Sequence, residues 1–113
     1  MTIRTKIIVL FIFTLISSSL HADKLTRIAC VGDSITYGAG ITDRETNSYP
    51  AQLQTLLGNT YKVGNFGVSA RTLLKKGDKP YWNNKAYKKA LSFNPNIVII
   101  KLGTNDIKPN NWK

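Results

Sequence analysis

The stretch RIACVGDSITYGAG, from Arg27 to Gly40, sets a glycine, an acid and a hydroxyl directly after an apolar run, at Gly32-Asp33-Ser34. A serine at such a junction is either a turn residue or a nucleophile, and a nucleophile needs partners elsewhere in the chain. Two other stretches offer them. Asn65-Phe66-Gly67 and Gly103-Thr104-Asn105-Asp106 also close apolar runs with small or polar residues. The backbone N–H groups of Ser34 and Gly67 and the carboxamide of Asn105 make three donors, a set suited to holding a tetrahedral oxyanion after attack on an ester carbonyl. Ser34 is therefore the candidate nucleophile, with Gly67 and Asn105 as candidate oxyanion donors. Asp33 and Asp106 are expected to brace their own loops by accepting backbone N–H bonds, since a carboxylate is a weak base for a serine hydroxyl.

These groups can act together only if the elements carrying them end at one place. Arg27–Val31 reads as a short buried strand bounded by Gly32, and 35–47 as a polar, glycine-bearing loop. Ser48-Tyr49-Pro50 opens a helix, with Leu53, Leu56 and Leu57 at helical spacing and Gly58 as its stop. Tyr61–Phe66 is a second strand, with Val63 and Phe66 as core residues. Ser69–Lys76 reads as a short helix closed by Gly77, and Trp82–Phe93 as an amphipathic helix broken by Asn94-Pro95. Ile97-Val98-Ile99-Ile100 is the strongest strand. Uninterrupted apolar strands alternating with helices predict an α/β fold with a parallel sheet covered on both faces. In such sheets chemistry sits beyond the carboxyl ends of the strands, where all three candidate segments lie.

The remaining composition narrows the class. Among 113 residues there is room for one modest domain. Residues 1–22 read as an export signal: Arg4 and Lys6 precede the apolar run Ile7–Ile16, and Ser17, Ser18, Ser19 and Ala22 supply small residues for cleavage. That run is too short for a stable membrane span. The expected location is periplasmic or extracellular. The net charge is +10, yet the lysines are scattered, and no zinc-finger spacing or basic ladder points to nucleic acid. Cys30 is the sole cysteine; lying within an apolar strand, it reads as a buried thiol.

VGDSITYGAG, NFGVSA and KLGTNDIKPNNW together resemble three of the four signature blocks of the SGNH (GDSL-type) hydrolases. The resemblance implies a flavodoxin-like three-layer sandwich, here truncated after the third strand, and an esterase or lipase activity. It places Ser34 at the nucleophile and Gly67 and Asn105 at oxyanion donors, and it implies no metal and no organic cofactor. With SYPAQL and KPNNW, the chain looks most like exported bacterial esterases that deacetylate carbohydrates, such as acetylxylan and sialate O-acetylesterases. The implied partner is a small-molecule or carbohydrate acyl ester, and residues 23–113 would form the N-terminal part of the domain.

One departure stands beside the match. Members of the family take the general base from an Asp-x-x-His motif near the carboxyl end, whereas His21 is the one histidine in this sequence and lies in the signal. The chain is accordingly expected to be a fragment with almost no activity of its own, because loss of the base from a Ser–His pair can cost about 10⁶ in turnover. A lipase, lysophospholipase or thioesterase of the same family is one alternative. A non-catalytic carbohydrate-binding protein, with Tyr81, Trp82 and Trp112 stacking on sugar rings, is another.

Overall fold

The structure, a computed structural model, describes residues 24–112. The export signal expected over residues 1–22 lies outside the described residues. Three strands form, each running one residue further than expected at its carboxyl end: β1 (Thr26–Gly32), β2 (Tyr61–Gly67) and β3 (Ile97–Lys101). They make one sheet of order β2-β1-β3, parallel throughout. The register aligns Gly32 with Gly67 on one side and with Lys101 on the other, so the three strands end level. The expected α/β class and the shared rim are both present.

β1 is central, which is why Ile28, Ala29, Cys30 and Val31 are all buried. Its two faces meet different helices. On one face Cys30 lies against Tyr49, the first residue of α3 (Tyr49–Leu57), which follows α1 (Ser34–Tyr37) and α2 (Arg44–Asn47). On the other, Val31 packs with Tyr81 and Ala90 of α4 (Lys85–Ser92), with Phe66, Val68, Ala86, Tyr87 and Leu102 around them. Val63 and Phe66 are half-buried, but Leu56 is 82% exposed and takes no part in the core.

Three local expectations are corrected. The segment 35–47, read as loop, contains α1 and α2. Asp33 starts α1 by accepting the N–H of Ile35 at 2.9 Å, and Gly38 ends it in the left-handed region at φ 89°. The helix expected over 69–76 does not form. Ala70 has φ 66°, the buried Thr72 hydroxyl donates to Leu74 O at 2.9 Å, and the chain folds back so that Thr72 pairs with Pro80. Finally, 82–93 splits into a 3₁₀ turn at Tyr81–Asn83 and α4, because Asn84 caps a new helix by accepting from Ala86 N.

Candidate active site

Ser34 is the first residue of α1, half-buried, two residues beyond the end of β1. Its position is set by Asp33, whose backbone and side chain both belong to the turn. Asp33 N donates to Lys101 O, Asp33 O accepts from Tyr37 N, and Asp33 Oδ1 accepts from Ile35 N. The side chain thus braces its own loop, as its type and position suggest. Beneath α1 a polar string is buried: Thr36 Oγ1 lies 3.1 Å from Tyr49 Oη, and Tyr49 in turn reaches Cys30. Burial pushes the Tyr49 hydroxyl up from its ordinary range, against the opposing effect of the bond to Thr36. Burial likewise raises the Cys30 thiol, the mark of an inert structural cysteine.

Gly67 ends β2 where α1 crosses it. A Cβ there would overlap Tyr37 N and lie 2.6 Å from Thr36 C, so the glycine admits the α1 backbone itself. Its N–H is occupied: it donates to Asn65 Oδ1 at 2.9 Å, while Asn65 Nδ2 donates to Thr36 O at 2.8 Å. Three residues later the loop offers an amide that nothing in the residue order singles out. Ala70 is the only non-glycine residue of this loop at positive φ, and its N–H has no acceptor among the described residues. The signal was hidden because alanine, unlike glycine, does not advertise a left-handed backbone.

Asn105 follows β3 through Gly103, which sits at φ 118°. Its carboxamide donates to Arg71 O at 3.0 Å, so the loop after β3 meets the loop after β2 directly. Asp106 does more than brace its own loop. Its carboxylate, buried, accepts from Leu73 N at 2.9 Å and Leu74 N at 2.7 Å, across more than thirty residues of sequence. Asn111 adds a third tie, donating to Asn105 O and to Asp78 Oδ1. Of the aromatics considered for sugar stacking, Tyr81 is fully buried with its hydroxyl on Phe66 O, and Trp82 is edge-on to Tyr87 with its indole N–H on Leu73 O. Trp112 is 67% exposed. No group of three His, Cys, Asp or Glu side chains stands together among the described residues.

The carboxyl rim of the sheet therefore carries Ser34 at a helix start, the loop after β2, and the Asn105 carboxamide bonded to that loop. Known proteins resemble the chain in sequence and in fold. An acetylxylan esterase from Xylanibacter ruminicola is 62% identical over 87 residues, 77% of this chain and 18% of that protein. AlinE4, a SGNH-hydrolase family esterase of known structure, is 29% identical with a TM-score of 0.50, over 73% of this chain and 42% of that one. A carbohydrate acetylesterase family member from Sinorhizobium meliloti is 25% identical with a TM-score of 0.55, over 75% of this chain and 44% of that one. The chain thus spans under a fifth of the curated relative's length and less than half of either solved one. The sequence profile of the GDSL-like Lipase/Acylhydrolase family matches residues 30–113. By that match, over most of its length and with the expected parallel α/β sheet, the chain belongs to the GDSL-like lipase/acylhydrolase family, the SGNH hydrolases.

Proposed function

We propose that these residues carry the nucleophile and oxyanion donors of an exported esterase that removes acetyl groups from carbohydrate. The observation that carries the reading is the tie between Asn105 and the loop after β2, at the same carboxyl rim of the sheet from which Ser34 starts α1. The identity with an acetylxylan esterase supports the substrate class, and residues 1–22 support export. In this reading Ser34 Oγ attacks the ester carbonyl as its proton passes to a base. The oxyanion is held by Ser34 N–H, a loop amide and Asn105 Nδ2. The intermediate expels the sugar hydroxyl, and water then releases the acid from the acyl-serine. The base is a histidine carried on chain outside residues 24–112, as the Asp-x-x-His motif of the family supplies it. Residues 23–113 are the N-terminal part of the hydrolase domain, and alone they turn over ester at close to the background rate.

The loop amide has two candidates. Gly67 is the one the sequence motif favours. Its bond to Asn65 Oδ1 favours Ala70 instead, whose N–H has no acceptor among the described residues and whose left-handed backbone adjoins the carbonyl that Asn105 holds. Hydrolysis of p-nitrophenyl acetate tests the whole reading, in a form of the protein that includes the Asp-x-x-His segment. Ser34→Ala is expected to abolish turnover, and Asn105→Ala to lower kcat by about 10²–10³ with little change in KM. Undiminished hydrolysis by the Ser34→Ala protein would remove the nucleophile and the proposal with it.

A further inference from the structure

Arg71 is the cation closest in the chain to the carboxamide tie, and none of its N–H groups is used among the described residues. Its Nε is shut off from solvent without a hydrogen-bond partner, although the side chain as a whole is only half-buried. The ion pairs among the described residues join Arg44 to Glu45 and Lys108 to Asp78; Arg71 has none. A buried donor left unmatched is costly, and a guanidinium offers five N–H groups in a planar fork whose natural counterpart is a carboxylate. The backbone bearing Arg71 is also unusually well fixed. Its carbonyl accepts from Asn105 Nδ2, Thr72 N donates to Lys79 O and Thr72 O accepts from Tyr81 N, and Asp106 holds Leu73 and Leu74. Lys75 and Lys76 follow on the same loop, while its nearby carboxylates are already engaged: Asp106 by the N–H groups of Leu73 and Leu74, and Asp78 by Lys108.

We infer that Arg71 is a specificity-determining residue that binds a carboxylate beside the acyl site. This rests on the carbohydrate-esterase reading and names a substrate feature within it: an acidic sugar next to the acetylated one, or the carboxylate of the released acid. The two share their chemistry and differ in what is attached to it. Neutral sugar alone leaves the Arg71 fork unmatched.

The test follows the Arg71 Nε–Hε resonance and the Ala70 amide of the ¹⁵N-labelled 113-residue chain during titration with methyl glucuronide, methyl glucoside, acetate and chloride at equal ionic strength. Glucuronide is expected to give saturable shifts at roughly tenfold lower concentration than glucoside, a preference that Arg71→Gln removes and Arg71→Lys weakens. Glucuronide binding more tightly than acetate assigns the carboxylate to a sugar; equal binding assigns it to the released acid. Equal response to glucuronide and glucoside, a response to chloride matching that to glucuronide, or a preference that survives Arg71→Gln overturns the inference. The wild-type titrations decide this even if a variant misfolds. Because binding needs no turnover, the result is independent of whether Ser34 hydrolyses an ester.

Discussion

The carboxyl rim of the sheet and its β3 side are built in opposite ways. At the rim, polar residues from distant parts of the chain are bonded to one another: Asp106 across to Leu73 and Leu74, Asn65 to α1, Tyr81 to Phe66. Along β3 every residue is exposed, with Ile97 at 46%, Val98 at 50%, Ile99 at 37% and Ile100 at 57%. Yet β3 is the more hydrophobic of the two regions. Apolar residues alone therefore do not make the ordered part of this protein; in it, directional bonds between loops hold the rim, while the most apolar strand keeps unfilled surface on both faces. That contrast matches the length comparison, since the solved relatives extend well beyond the part that this chain aligns with.

The contrast can be broken from the rim outward. Gly67→Ala is expected to be the most damaging of these changes, because its methyl meets the α1 backbone rather than a flexible side chain; urea denaturation should show a loss of about 3 kcal/mol. Asp106→Ala strands the N–H groups of Leu73 and Leu74, and the same measurement should read about 2 kcal/mol. Tyr81→Phe removes one bond, to Phe66 O, at about 1 kcal/mol near neutral pH.

Tyr81 also sharpens the comparison through pH. Burial pushes its hydroxyl up to about 12, from an ordinary value of 10.0 in the unfolded chain. The folded state thus favours the neutral phenol. This contribution is complete below the unfolded value and declines as pH rises from there towards about 12. Stability measured across that window should fall in the wild-type protein and fall less steeply in Tyr81→Phe. At the other extreme, Ile100→Thr on β3 should alter stability by no more than about 0.5 kcal/mol, despite removing an isoleucine from a strand. A large loss there would show that β3 side chains hold the folded state as strongly as the rim does.

Much of the architecture was legible from residue order. The β-branched and apolar runs at 27–31, 61–66 and 97–100 announce strands because continuous hydrophobicity is what a strand buried on two faces requires. Proline at the start of α3 and glycine after it are likewise local signals. The loop from Ser69 to Pro80 was not legible. Its Leu73-Leu74 pair looks helical, but the amides that a helix would use are taken by Asp106, and that competition is invisible without the fold. Asp33 and Asn84 acted as caps through their own short side chains, yet only Asp33 stood at a boundary that hydrophobic patterning marked in advance.

Local sequence thus determined the apolar strands and the helices between them, an alternation that implies a parallel α/β sheet and brings the segments of Ser34, Gly67 and Asn105 to the ends of its three strands. Tertiary structure decided which polar groups at that rim are spent and which remain open. Gly67 N–H is given to Asn65, while Ala70 N–H and the Arg71 guanidinium are left without partners among the described residues. Hydrogen bonding is a contest between donors and acceptors brought together from far apart in the chain, and only the folded arrangement settles it.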